Sequence, residues 1–316
     1  MDDAKETVLL LAAVPLDLHD SLAGAYELAR LAEAPAGPVP GCRVAVTTSM
    51  AGADAAVMDR LPDLRLIACQ GAGLDRIDLA AAAARGIAVS HTPDVLTEDT
   101  ADFAIALLYG IARKVVAADR FVRGGRWSRE RMAPSTRLQG KRAGIVGLGR
   151  IGEAVARRAA GIGMAVSYTG PRPKPDLPYA FVPTVQELAA RSDALILTCP
   201  GGEATHHLVD ADILSRLGPG GFLVNIARGT VVHEAALLEA LEGKRIAGAG
   251  LDVFAAEPEL DPRFLHLENA VLAPHYASLT HETRAAMIGR VLGDIAAFRA
   301  GAPFHDAAAQ FRRHAG

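Results

Sequence analysis

Four side chains able to bind an anion or move a proton stand at the ends of apolar runs in the second half of the chain. "FLVNIARGTVV" delivers Arg228, "AGAGLDVFAAEP" carries Asp252 and then Glu257, and "NAVLAPHYAS" carries His275. Arg228 offers two parallel donors, suited to a carboxylate and the carbonyl oxygen beside it. An imidazole titrates near neutral pH, so His275 could hand a proton to a forming alkoxide and take it back in reverse. Glu257, if it touches that imidazole, would orient it and favour its charged form. Taken singly, each residue reads as a surface charge or a turn residue. Their order and their placement at strand ends make the joint reading.

A second constellation precedes them. "AGIVGLGRIG", residues 143–152, is an apolar strand-like run that breaks into Gly147, Gly149 and Gly152, and a helical pattern follows at once. In such a turn the first glycine permits the bend and the second lets the backbone approach a pyrophosphate. The third allows close packing of helix on strand. The phosphates then face the unpaired N–H groups at the helix N-terminus. The next strand, "MAVSYTG", ends where an acidic residue would grip the ribose hydroxyls of NAD. It presents Thr169 and Gly170 instead, with Arg172 and Lys174 beyond in "YTGPRPK". An acidic group there would repel a 2′-phosphate, whereas Thr, Arg and Lys could bind it, so NADP is expected, with NAD as the second choice. With a dinucleotide, Arg228, Glu257 and His275 make a site for hydride transfer to a 2-oxo acid.

These residues need a scaffold of alternating strands and helices, and the pattern predicts one. In the first third, strands are expected at "TVLLLAAV", "RVAVTT", "LRLIACQ" and "IAVSH", with helices around 20–33, 53–60 and 78–85. From Thr97, read as an N-cap, one long Ala- and Leu-rich helix is expected to about Arg123. A second series follows: strand 143–147, helix 150–161 and strand 164–169. Strands are then expected in "ALILTCP", "FLVNIA", "IAGAGLDV" and "NAVLAP", with helices around 184–191, 210–217 and 233–242. After Pro274 a helix is expected over 281–299, with helical structure nearly to the end. Strand–helix alternation implies parallel sheets covered on both faces. The expected organisation is a cofactor domain, 97–281, inserted into a second domain made of 1–96 and 282–316.

Composition narrows the partners. The 316 residues carry a formal charge of −3, and half are hydrophobic. That balance gives no footprint for nucleic acid or an anionic membrane. Cys42, Cys69 and Cys199 are widely spaced, which suits neither a disulfide framework nor a metal site and fits a reducing compartment. The N-terminus lacks a basic lead and reads as a buried strand, and no run approaches a membrane span, so a cytoplasmic protein is expected.

The motifs "GLGRIG", "NIARGTVV", "GAGLDVFAAEP" and "APHYAS", in that order and with "GAGLDRIDL" near the start, resemble the D-isomer-specific 2-hydroxyacid dehydrogenase family. The likeness is nearest in pattern to its glyoxylate/hydroxypyruvate reductases. It implies an α/β protein of two doubly wound parallel-sheet domains, a Rossmann cofactor domain inserted into a flavodoxin-like substrate, or lid, domain, and usually a homodimer. It implies Arg228 as substrate anchor, His275 as acid/base and Glu257 as its partner. It further implies that Asp252 holds the nicotinamide carboxamide and that Thr100 faces the cofactor. Arg150, Ile151, Cys199, Pro200, Thr205, Ala227 and Ser278 complete the implied cofactor contacts. In "CQGAGLD" the resemblance implies a substrate loop, Gly71, Ala72 and Gly73, in which N–H groups near Ala72 and Gly73 receive the substrate carboxylate.

Three departures stand out. Pro171 occupies a position where NADP-dependent relatives often carry Arg, so Arg172 would have to serve from one residue later. Tyr276 replaces a smaller residue after the histidine. Trp127 lies where related reductases reach into a neighbour's active site, and reads equally as a dimer-core residue. The expected reaction is reduction of a small 2-oxo acid to a D-2-hydroxy acid. The resemblance leaves open a phosphoglycerate- or erythronate-type dehydrogenase, an aryl-pyruvate reductase and, outside enzymes, a nucleotide-sensing corepressor.

Overall fold

The structure, a computed structural model, describes residues 6–312. The chain divides into two compact units: the second is Thr97–Leu279, and the first is formed by the described residues on either side of it.

The first unit begins with β1 (Thr7–Leu10), α1 (Leu16–Ala25), β2 (Glu27–Arg30), β3 (Val44–Thr48), α2 (Ala55–Asp59), β4 (Leu66–Gln70), α3 (Leu79–Ala84) and β5 (Ala88–Ser90). The five strands form one parallel sheet in the order β2-β1-β3-β4-β5. This is the flavodoxin-like winding. Alternate strand residues feed opposite cores, as the period of two requires. Leu9, Ala45, Ile67 and Val89 meet Met58, Leu61 and Leu64 on one face. Val8, Leu10, Val44, Val46 and Leu66 meet Leu18 and Leu22 of α1 on the other.

The second unit runs α4 (Thr97–Ala112), α5 (Val115–Arg123), β6 (Arg142–Val146), α6 (Arg150–Gly161), β7 (Ala165–Thr169), β8 (Ala180–Phe181), α7 (Val185–Ala190) and β9 (Ala194–Leu197). It continues with α8 (Ala211–Leu217), β10 (Phe222–Asn225), α9 (Glu234–Glu242), β11 (Gly248–Leu251) and β12 (Ala270–Leu272). Its seven strands are parallel in the order β12-β11-β10-β9-β6-β7-β8, so the winding reverses between β6 and β9. Ala143, Ile145, Ile196 and Val224 pack on α4 and α6. Val146, Leu195, Leu197 and Leu223 pack on α7, α8 and α9. The chain then returns to the first unit as α10 (His281–Arg299) and α11 (Ala309–Arg312), with Val291 and Ile295 of α10 completing the core beside α1.

The α/β class and the two parallel sheets agree with the expectation. Four local readings do not. Residues 27–30, expected in a helix, form β2, whose helix-favouring "ELAR" is overridden by parallel pairing of Thr7 through Leu10 with Glu27 through Arg30. The helix expected from Thr97 to Arg123 is two helices, because Lys114 turns left-handed at φ 55°. Thr97 is the first helical residue and not a cap, and its Oγ1 is buried without a hydrogen-bond partner among the described residues. Residues 300–308, between α10 and α11, are not helical and lie beside β5: Ala307 N–H donates to the Val89 carbonyl at 2.8 Å. Among the described residues no helix is long and apolar enough to cross a membrane.

Candidate functional site

The glycine turn lies at the carboxyl end of β6, beside the reversal of strand order where such sheets take their ligands. Gly147 has φ 92°, and a Cβ on it would come within 2.7 Å of the Cys199 Cα. A Cβ on Gly152 would lie 2.2 Å from the Gly147 carbonyl oxygen, so α6 packs directly onto the turn. Gly149 differs: nothing lies within 4 Å of where its Cβ would stand. It is also the N-cap of α6 and contributes no side-chain cap bond. Two glycines thus close the turn and the middle one leaves open room over the helix N-terminus, which fits a pyrophosphate. Arg150 is exposed and Ile151 half-buried just beyond.

At the end of β7, Thr169 is buried, Gly170 half-buried and Arg172 exposed. Lys174 behaves differently from the expectation of a phosphate ligand, since its Nζ sits 2.5 Å from Glu153 Oε1. Its backbone N–H donates to the Tyr168 hydroxyl at 2.6 Å, which fixes the loop against the sheet. After β9, Thr205 Oγ1 donates to the Pro200 carbonyl at 2.7 Å. Burial pushes the Cys199 thiol up to about 11, so it stays protonated and unreactive at neutral pH. Thr100 is buried in the first turn of α4.

Arg228, Glu257 and His275 come together at the neighbouring strand ends. His275 Nδ1 lies 2.8 Å from Glu257 Oε2, and Glu257 Oε1 accepts from the Phe254 N–H at 2.9 Å. An ionised carboxylate can only accept, so Nδ1 carries the proton and Nε2 is left to face a reactant. Burial works to raise the Glu257 carboxyl. The His275 hydrogen bond, the Phe254 N–H and the positive charges of His275 and Arg228 outweigh it and hold the group below the usual carboxylate range. His275 itself adopts φ 53°, a left-handed conformation that a β-carbon resists, so its loop must be held.

Asp252 does the holding. It is 1 % exposed, its carbonyl accepts from the His275 N–H at 2.8 Å, and its carboxylate accepts from the N–H groups of Tyr276 and Ala277 at 2.6 and 3.0 Å. Burial raises its carboxyl against those two bonds. Ser278 follows, half-buried. Tyr276 leans toward Phe103 of α4, with ring centroids 5.9 Å apart.

Sequence reasoning missed Asn225, which organises the arginine turn. Its Oδ1 accepts from the Ala227 N–H and its Nδ2 donates to the Arg228 carbonyl, both at 3.0 Å. The Arg228 guanidinium donates in turn to the Ala227 carbonyl at 2.8 Å. The available signal was an amide closing an otherwise apolar strand, a residue that burial tolerates only when satisfied.

In the first unit, Gly71 follows β4 with φ 131°, and a Cβ there would lie 2.4 Å from Ser49 Oγ. Ala72 and Gly73 are half-buried.

Residues 105–277 match the D-isomer specific 2-hydroxyacid dehydrogenase NAD binding domain. The chain is 41% identical over 300 residues to a glyoxylate/hydroxypyruvate reductase A of Arabidopsis thaliana, covering 93% of this chain and 96% of that one. It is 43% identical over 261 residues to a hydroxyphenylpyruvate reductase of Plectranthus scutellarioides, covering 83% of each. A solved NADPH-dependent glyoxylate/hydroxypyruvate reductase of Sinorhizobium meliloti, in complex with NADP and malonate, superposes with a TM-score of 0.84 at 37% identity. That match covers 93% of this chain and 94% of that one. The chain belongs to the D-isomer-specific 2-hydroxyacid dehydrogenases and is an NAD(P)-dependent oxidoreductase of that family.

Proposed function

We propose that the protein is an NADP(H)-preferring reductase of small 2-oxo acids of the glyoxylate/hydroxypyruvate type, producing the D-2-hydroxy acid. The observation that carries the reading is the 2.8 Å pair of His275 Nδ1 and Glu257, which leaves Nε2 to serve the substrate oxygen. When bound, the reduced nicotinamide supplies the hydride to the carbonyl carbon. His275 gives its Nε2 proton to the carbonyl oxygen as negative charge develops there, and Glu257 stabilises the imidazolium beforehand. Arg228 pairs with the substrate carboxylate and polarises the carbonyl oxygen. In the first unit, the N–H groups of Ala72 and Gly73 are the proposed seat for the carboxylate.

The phosphate preference rests on the end of β7, where Thr169 and Gly170 stand in place of an acid and Arg172 is exposed two residues on. Lys174, paired with Glu153, supports that preference less. A homodimer is proposed on the apolar side chains exposed between residues 109 and 132: Tyr109, Val115, Val122, Trp127 and Met132. One observation favours a second reading, aryl-pyruvate reduction: Tyr276 is 46% exposed beside His275 and stands near Phe103, which would flank an aromatic substrate.

Initial rates of NADPH and NADH oxidation with glyoxylate, hydroxypyruvate and phenylpyruvate test these readings together. Turnover of the two small acids with NADPH ahead of NADH is the expected result. Preference for NADH overturns the role of Arg172 alone, and preference for phenylpyruvate moves the enzyme to the second reading. A failure to turn over any 2-oxo acid sinks the proposal.

A further inference from the structure

The carboxyl end of β5 grips the Gly71–Gly73 turn through three hydrogen bonds. Thr92 Oγ1 accepts from the Gly71 N–H at 2.9 Å, and the Thr92 N–H donates to the Gly71 carbonyl at 2.9 Å. His91 Nδ1 lies 3.0 Å from the Ala72 carbonyl oxygen. A carbonyl oxygen can only accept, so Nδ1 carries the proton and donates.

A peptide unit is planar and trans, so a carbonyl and the N–H that follows it point in opposite directions. Holding the Gly71 carbonyl therefore aims the Ala72 N–H, and holding the Ala72 carbonyl aims the Gly73 N–H. Those are the two amides read above as the carboxylate seat. Thr92 sets one from its backbone and His91 sets the other from its side chain. A hydrogen bond to a carbonyl also polarises the amide and strengthens its N–H as a donor.

We propose that His91 is a positioning residue for the substrate carboxylate, acting through the 72–73 peptide. The inference rests on the reading of Ala72 and Gly73 as that seat. The ring is itself held in place. It packs 5.2 Å from the His305 ring, and His305 belongs to the segment that returns along β5. Asp306 Oδ1 in that segment accepts from the N–H groups of Val89 and Ala308 at 2.9 and 3.0 Å. Burial pushes the His91 imidazole down, and His305 and Arg290 add to this against the Ala72 bond and Asp94. A neutral ring with its proton on Nδ1 keeps the bond to Ala72 and places no competing charge beside the turn.

The test compares His91→Phe, His91→Asn and Ala72→Pro with the unmodified protein, using glyoxylate and saturating nicotinamide cofactor. Phe keeps a ring against His305 but donates nothing, whereas Asn returns an amide N–H near the Nδ1 position. Ala72→Pro removes one amide of the seat. H91F is expected to raise the KM for glyoxylate about tenfold, the worth of one hydrogen bond. Its kcat should change much less and its KM for cofactor not at all, and H91N should recover most of the loss. His91→Ala serves as a second variant without a donor, and thermal unfolding verifies the fold of each. An unchanged KM in H91F, beside a raised one in A72P, overturns the role of His91 and leaves the seat standing. Unchanged KM in both overturns the seat and His91 with it. Equal losses in kcat, cofactor KM and substrate KM, unrescued by Asn, reduce His91 to a structural residue and also overturn the proposal.

Discussion

Replacing His275 by Ala removes the proposed proton donor, and kcat should fall about 10²- to 10⁴-fold while nucleotide binding, read by fluorescence titration, survives. Glu257→Gln keeps an acceptor for Nδ1 but loses the charge. The difference between a charge-assisted and a neutral hydrogen bond should lower kcat about ten- to thirtyfold. Arg228→Lys keeps charge but loses the two-pronged donor geometry, so kcat/KM for glyoxylate should fall by about two orders of magnitude at constant cofactor KM. Arg228, Glu257 and His275 were legible because chemistry-bearing side chains interrupt apolar strands at their ends. Asn225 and His91 were not, since each acts on a backbone group whose position only the folded chain reveals. The commitment of Lys174 to Glu153 was hidden for the same reason: the two are 21 residues apart in the chain.

At the scale of elements, the two glycines between β6 and α6, Gly147 and Gly149, should separate stability from binding. Gly147→Ala meets both a left-handed φ and the Cys199 backbone, and should destabilise by about 3 kcal/mol or more. Gly149→Ala meets nothing in the fold, so Tm should hardly move. The added methyl intrudes on the room over the α6 N-terminus, and the KM for nucleotide should rise severalfold. A Tm loss in G149A as large as in G147A would refute this division of labour.

The first unit offers an acid-dependent counterpart. Asp17 of α1 and Arg284 of α10 form a two-pronged pair, with Arg284 Nε 2.7 Å from Asp17 Oδ2. The Arg284 hydrogen bond is the main cause holding the Asp17 carboxyl below its ordinary value of 3.8. Because the folded-state value is depressed, the pair contributes its stability above the ordinary value and loses it as pH falls through the lowered one. Both side chains are about a third exposed, so Asp17→Asn should cost about 1 kcal/mol at most at neutral pH. Chemical denaturation at pH 7 and in acid reads this directly: the gap between the two proteins should close below the lowered value.

Helices such as α6 and α10 were readable, the one from the glycine turn before it and the other from the helical pattern that resumes after Pro274. The edge strand β2 was not, because four helix-favouring residues with one partner strand carry no alternation to read. Nor was the break at Lys114, where Arg and Lys would sit equally well in a continuing helix.

For the molecule as a whole, the apolar side chains exposed between 109 and 132 should be covered by a second copy of the chain. Trp127 is 62% exposed there and Val122 52%. Trp127→Glu places a charge in that face, and sedimentation should then show monomer where the unmodified protein sediments as dimer. If both sediment alike, the proposed dimer face is wrong.

The second unit is continuous in the chain, Thr97–Leu279, whereas the first waits for α10. On a ribosome, the early strands emerge with Val8, Leu10 and Val46 facing a layer that lacks Val291 and Ile295. The part of the chain made first is therefore the part that finishes last. Between those moments the newborn β1, β3 and β4 carry an apolar face that α1 covers only in part, on which a chaperone could act while the second unit is already complete.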